Sequence, residues 1–268
     1  MRIDLNCDLG EGFGPWRMGD DAAMMQIVTT ANIACGFHAG DPETMRRTVN
    51  QARAAGVAVG AHPGYPDLVS FGRRAWLGVT PREIENFVAY QVGAMAAITE
   101  LAGHRLTHVK THGALGNACA DDDQLAMAVT RGIRAADPSL AFMVMPGTAT
   151  QRAADRAGLR PIIEVYADRS YGPSFNLVPR GSDGSVLHDP GPVLERVMRI
   201  LTEGRIESLC GRSLKTEIHS ICVHGDTHGA VTLAGSIRSG LEAAGWTLAP
   251  AVAAGWRTTE ICAEVGDA

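Results

Sequence analysis

Acids, bases and a lysine recur at every second residue within short segments of this sequence. Asp4, Asn6 and Asp8 alternate with Ile3, Leu5 and Cys7, and His108, Lys110 and His112 share a parity opposite Val109. Glu164, Tyr166 and Asp168 alternate with Ile163, Val165 and Ala167, while Ser220, Cys222 and His224 alternate with Ile221 and Val223. Ala58, Gly60 and His62 fall together in the same way. Successive side chains of a strand face opposite sides, so each segment presents one polar and one apolar face. Carboxylates, imidazoles and an ammonium on converging faces can serve general acid–base chemistry. Asp8, His38, His62, His112 and Asp226 are also candidate nitrogen and oxygen ligands for a divalent metal, which the sequence neither requires nor excludes. His108 and His112 cannot share one ion on a strand, because four residues at about 3.3 Å each hold them roughly 13 Å apart. His108 is therefore read as a core residue, and His104, His188 and His219, in loops or at strand starts, receive no role.

The elements that must position these residues follow from the hydrophobic pattern. Short apolar runs at residues 3–8, 27–34, 57–62, 106–112, 140–145, 161–167 and 219–224 alternate with longer amphipathic stretches, the βαβα pattern of a parallel sheet or barrel. Helix starts are marked by Asp41 before Pro42, by Thr80 with Pro81 and Glu83, by Asp121 before 122–136, and by Asp189 before Pro190. With 268 residues, the expectation is one α/β barrel domain over 1–268. Helices outside the barrel would cover the apolar faces and turn the polar faces inward, unlike the usual Val, Ile and Leu interior. An unpaired buried charge costs several kcal/mol, so these groups must pair, bind a metal or open onto a solvated pocket at the strand ends. Two long loops, 63–79 and 168–189, are candidates for binding loops or lids.

Composition narrows the partners. The net charge of −5 without a basic run argues against nucleic acid and anionic membrane surfaces, leaving a small-molecule substrate. Met1–Asp8 resembles neither a signal peptide nor a membrane span, and Cys7, Cys35, Cys119, Cys210, Cys222 and Cys262 form no C-x-x-C pair, so a cytoplasmic protein with reduced thiols is expected. Neither Lys110 nor Lys215 follows a glycine, so there is no phosphate-binding loop, and any nucleotide is held unconventionally or by a partner. The H-E-x-x-H and G-x-S-x-G motifs are also absent. Gly10, Gly12 and Gly14 form either a turn or a backbone approach to an anion.

Longer segments carry a resemblance. Asp4 to Gly14 (DLNCDLGEGFG), Ala31 to Asp41 (ANIACGFHAGD), Gly60 to Asp67 (GAHPGYPD) with Phe71-Gly72-Arg73-Arg74, and Val223-His224-Gly225-Asp226 are similar to the LamB/YcsF family, in order from residue 3 to roughly residue 245. The resemblance implies a seven-stranded (β/α) barrel like that of the glycoside hydrolase/deacetylase group. It also implies ATP-dependent opening of 5-oxo-L-proline to L-glutamate, together with two further 5-oxoprolinase subunits, B and C. On that reading Asp8, His62, Lys110, His112, His224 and Asp226 are the catalytic candidates. Asn6, Glu11, Asn32, His38, Arg73, Asp168 and Arg169 are the substrate-binding ones, with ATP on this chain or on a partner. Two alternatives stand beside it: a stand-alone metal-dependent deacetylase or amidohydrolase, and a non-catalytic lactam-binding subunit. The chain departs from the family's Val-Lys-Pro-His-Gly-Ala-Leu-Tyr-Asn at Thr111 and Gly116, and the lost aromatic is expected to reshape a pocket wall. It departs again between Gly172 and Asn176, after Ala167-Asp168-Arg169-Ser170-Tyr171.

Overall fold

The computed structural model describes residues 1–227 and 229–252, and every one of the apolar runs contains a strand. These are β1 (Arg2–Leu9), β2 (Thr30–Ala34), β3 (Ala58–His62), β4 (Leu106–Lys110), β5 (Ala141–Val144) and β6 (Pro161–Tyr166), followed beyond an antiparallel hairpin, β7 (Arg205–Glu207) with β8 (Ser213–Lys215), by β9 (Ser220–Cys222). Each barrel strand pairs in parallel with the next, and β9 pairs with both β6 and β1, which closes a seven-stranded barrel. A two-residue strand, β10 (Thr247–Leu248), adds to the start of β1.

Helices follow the strands as the capping residues foretell. Asp41 caps α2 (Pro42–Ala55), which follows the single turn α1 (Asp21–Met24), and Thr80 with Glu83 forms a reciprocal capping box on α3 (Pro81–Leu101). The expected helix over 122–136 is instead two helices. Gly113–Asp121 forms α4, with His112 at its N-cap, and Asp122 rather than Asp121 caps α5 (Asp123–Ala136). The strand run expected to reach residue 112 therefore ends at Lys110. Thr148 caps α6 (Ala149–Ala157), Asp189 caps α7 (Pro190–Glu203), and α8 (Ala230–Ala243) precedes β10. No helix among the described residues is long and apolar enough to cross a membrane. Cys7, Cys35, Cys119, Cys210 and Cys222 are free thiols, and Cys262 lies outside the described residues.

The alternation along each strand carries into three dimensions. Ile3, Leu5, Cys7, Ile33, Val59, Val109, Phe142, Val165 and Ile221 point outward into one core with Val49, Val88, Ile133, Val197 and Ile237 of the surrounding helices. The alternate residues meet inside, in layers set by the register. Asp4 and Glu164 both lie opposite Ser220, and Asn6 and Tyr166 both lie opposite Cys222. Asp8 lies opposite Asn32, Asn32 opposite Gly60, and Gly60 opposite His108.

The lower interior is polar and hydrogen-bonded throughout. Asp4 accepts from Thr29 and Thr30 hydroxyls at 2.6 Å each and from Ser220. Burial nonetheless pushes its carboxyl up to about 6, against the lowering effect of those hydroxyls. Asn6 donates to Ser220 (2.7 Å), and Asn32 donates to Asn6 (2.9 Å) and Asp8 (2.8 Å). His108 donates from Nε2 to Asn32 Oδ1 at 2.8 Å, and burial, then the nearby Lys110 charge, lowers its pKa to about 3, so it is a neutral ring. Residue 60 must be glycine for this ring to fit, since a Cβ there would stand 2.1 Å from His108 Nε2.

Candidate active site

Above this network the C-terminal strand ends open into a cavity of about 500 Å³. Its base is Asp8 from β1, Lys110 from β4 and Glu164 from β6. Lys110 Nζ lies 2.9 Å from Asp8 Oδ1 and 2.8 Å from Glu164 Oε1, and also reaches Asn6 Oδ1 (3.3 Å) and Cys222 Sγ (3.1 Å). Burial disfavours charge on both Lys110 and Asp8. Asp8, Cys222 and Glu164 nevertheless outweigh it and hold Lys110 well above its ordinary value, while His62 and Lys110 hold Asp8 well below the carboxylate range. The lysine is thus a fixed cation between two carboxylates, not a free one awaiting an anion.

One side of the cavity is an imidazole cluster. His62 ends β3, His112 begins α4, His38 comes from the loop after β2, and Glu11 follows β1. One ligand atom from each lies within 4.8 Å of the others, so this set could hold a metal ion. His62 Nε2 faces Asp8 Oδ2 at 3.3 Å and His112 Nδ1 at 3.0 Å, and Glu11 Oε1 lies 3.3 Å from both His38 and His112. Burial opposes ionisation of Glu11, but hydrogen bonds from His112 and His38 outweigh it and lower its pKa. Burial likewise opposes charge on His62, yet Asp8 raises its pKa. Burial, then His112, lowers His38 to about 3, and burial also lowers His112. The loop over 63–79 is shaped to this cluster. Phe71 (φ 54°) and Gly72 (φ 60°) both adopt the left-handed region, and a Cβ on Gly72 would meet His38 Cβ at 2.8 Å.

The other side belongs to the loop over 168–189. Asp168 accepts from His224 Nδ1 at 3.0 Å. Burial raises its pKa, but His224, by charge and hydrogen bond, and Arg180 together outweigh burial and lower it. His224 stacks on Tyr166 with centroids 5.3 Å apart. Arg73, Arg169 and Arg180 line the mouth, with Arg73 2.6 Å and Arg180 3.7 Å from Asp226. Arg169 donates to the Ser185 (3.1 Å) and Val178 carbonyls, so much of its fork anchors the loop itself. Thr111 and Gly116, the two departures from the family pattern, both lie on the cavity wall, and a Cβ at 116 would come within 3.0 Å of the Thr111 carbonyl.

Of the residues singled out in the sequence, the structure brings Asp8, Glu11, His62, Arg73, Lys110, His112, Arg169 and His224 to the cavity wall. His38 stands behind the wall, Asp168 behind His224, and Asn6 and Asn32 beneath the floor. Asp226 is tied to the mouth arginines and is not in the metal-capable set, whose carboxylate is Glu11. Of the candidate ligands Asp8, His38, His62, His112 and Asp226, the structure groups the three histidines with Glu11; Asp8 stands beside His62 outside that group, and Asp226, past the end of β9, turns toward the mouth. Gly10 and Gly14 donate to the Asp21 and Asp41 carboxylates, which makes their stretch a turn and not an anion cradle. Glu164 and Arg180 received no role in the sequence. Parity already placed Glu164 on the polar face, but Arg180, far along a loop, carried no local signal.

Residues 3–255 match the LamB/YcsF family. The chain belongs to that family. Among its LamB/YcsF relatives, a Rhodopseudomonas palustris protein named as the A subunit of 5-oxoprolinase is 55% identical over 93% of this chain and 98% of its own length. A Nitrobacter hamburgensis protein of the same name is 49% identical over 93% and 98%. The crystal structure of a lactam utilization protein from Thermus thermophilus superposes with a TM-score of 0.87 at 40% identity, covering 93% of this chain and 99% of that one.

Proposed function

We propose that this chain is the A component of a 5-oxoprolinase, opening the lactam of 5-oxo-L-proline to L-glutamate at the expense of ATP, in the cytoplasm and together with two further subunits, B and C. The observation that carries the reading is the close kinship, over almost their whole length, with proteins named for this activity. The cavity chemistry agrees with it. A lactam is a stable amide, and transfer of a phosphoryl group from ATP to its carbonyl oxygen activates the carbon. One water adds, the C–N bond breaks as the ring nitrogen takes up a proton to leave an acyl phosphate, and a second water releases glutamate and phosphate. Arg73 and Arg180 at the mouth suit the substrate carboxylate or a phosphate, by bidentate hydrogen bonding. Asp8, ionised and beside His62, is placed to take a proton from water, and His224, held by Asp168, to return one to the ring nitrogen as it leaves. Without a phosphate-binding loop, the nucleotide is assigned to a partner protein.

The test is release of ADP and glutamate from 5-oxoproline by this chain alone, by the partner subunits alone and by the mixture. The expected result is activity in the mixture only. Lactam or amide hydrolysis by the chain alone, independent of ATP and abolished by chelator, would instead establish a stand-alone amidohydrolase. Unchanged turnover of the mixture after both Asp8→Asn and His62→Ala would reduce the chain to a binding component.

A further inference from the structure

The imidazole cluster brings ring nitrogens and carboxylate oxygens from four segments of the chain to one point at the cavity wall. His62 Nδ1 lies 2.8 Å from the Lys110 carbonyl, and His112 Nε2 lies 2.8 Å from the Phe71 carbonyl. A carbonyl only accepts, so each outer nitrogen carries a proton, and in the neutral rings the inner nitrogens, His62 Nε2 and His112 Nδ1, are the ones that offer lone pairs. Those two atoms face each other at 3.0 Å. Around them stand Glu11 Oε1, 3.3 Å from His112 and 3.9 Å from His62, and Asp8 Oδ2, 3.3 Å from His62. All are buried. Glu11 also faces His38, and Asp8 accepts from Asn32 and Lys110, so what marks this point is the convergence of ligand atoms on it.

We infer that Glu11, His62 and His112 hold a divalent transition-metal ion, coordinated by Glu11 Oε1, His62 Nε2 and His112 Nδ1 with its open side toward the cavity. Ligands about 2.1 Å from a tetrahedral ion lie about 3.4 Å apart, and the edges here are 3.0, 3.3 and 3.9 Å. The outer nitrogens are already anchored on backbone carbonyls, which is how metal-bound histidines are oriented. The rings of His62 and His112 cross at 88°, so their in-plane lone pairs can converge on one point. Two imidazoles and one carboxylate suit zinc, cobalt, iron or manganese, whereas magnesium and calcium prefer all-oxygen sites.

His38 belongs to the outer shell. It stacks on His112 with centroids 3.6 Å apart and planes 4° from parallel. Lone pairs lie in the ring plane, so parallel stacked rings cannot aim at the same ion. His38 Nε2 instead reaches Glu11 Oε1 at 3.3 Å and orients that carboxylate. Asp8, at 3.3 Å from His62, borders the open side and is available to a metal-bound molecule.

Ring geometry alone supports the ion, so the site stands or falls separately from the 5-oxoprolinase reading. Its test uses the full chain, stripped with chelator and titrated with Co²⁺ while the visible absorption is followed. The expected result is one equivalent of Co²⁺ per chain, displaced by Zn²⁺ and lost in His112→Ala. In His38→Ala the stoichiometry should persist with affinity weakened by about 10–100-fold, as for other outer-shell partners. Glu11→Gln, nearly isosteric, provides the same loss where His112→Ala does not fold. The inference is overturned by a folded wild-type chain that takes up no Co²⁺ or Zn²⁺, or by folded variants at residues 11 and 112 that bind them as well as wild type does. Nitrogen NMR showing a proton shared between His62 and His112 after metal has been supplied has the same effect.

Discussion

The two ends of the barrel interior are built from the same residue types and do opposite things. Toward the floor, Asp4, Asn6, Asn32, His108 and Ser220 form a network in which donors and acceptors are matched, and the side chains are locked. Toward the cavity, Asp8, Glu11, His62 and His112 gather ring nitrogens and carboxylate oxygens around one point, and Lys110 is shared between two carboxylates. Groups spread along the floor give rigidity, and groups converging on one point at the cavity can be shared with a ligand. Lys110 and Asp8 lie at the junction, touching both regimes.

Four substitutions probe that division. Lys110→Met removes the cation common to both ends and strands Asp8 and Glu164 in a buried site, which should cost about 3–5 kcal/mol in denaturant unfolding together with all activity. If Glu164→Gln added to it restores most of the stability, the stranded charge is the cause. Asp8→Asn lies on the reactive side, so turnover of the assembled enzyme should fall by about 10²–10⁴-fold while the chain remains folded by circular dichroism.

Asp4 tests the floor through pH. Its pKa is about 6 in the folded chain against 3.8 for the ordinary carboxyl, so the folded state binds more protons between these values. Its contribution is therefore fully present below about pH 4 and declines as pH rises through 6, by at most about 3 kcal/mol. Unfolding curves at pH 4 and 7 should diverge less for Asp4→Asn than for wild type. Gly60→Ala drives a Cβ into the His108 ring and should destabilise by about 1–3 kcal/mol, and double substitution with His108→Ala should recover most of the loss.

Much of this was readable from the sequence because alternation in a strand is a local property. Asp4, Asn6 and Asp8 declare one face of β1 whatever surrounds them, and capping by Asp41, Thr80 and Asp189 is decided within a single turn. The cluster at the cavity was less legible. Glu11 lies past the end of β1 and His38 past β2, where the period-two rule no longer applies, so only folding shows that Glu11, and not Asp226, joins the imidazoles. His112 has the parity of β4 yet serves from the N-cap of α4, because the chain leaves the strand after Lys110. Similarly, the bond from Asn32 to His108 crosses 76 residues of chain and leaves no local trace.

Closure of the barrel restricts how this chain can meet another protein. Because β1 is paired on both sides, by β2 and β9, the seven-stranded sheet offers a visitor no row of free peptide groups. Among the described residues the closed barrel has no edge to extend, so a companion protein meets side chains on the outer helices, the loops around the cavity mouth, or the short edges of β7, β8 and β10. Contact at the mouth would set association and access to the reacting groups on the same few segments.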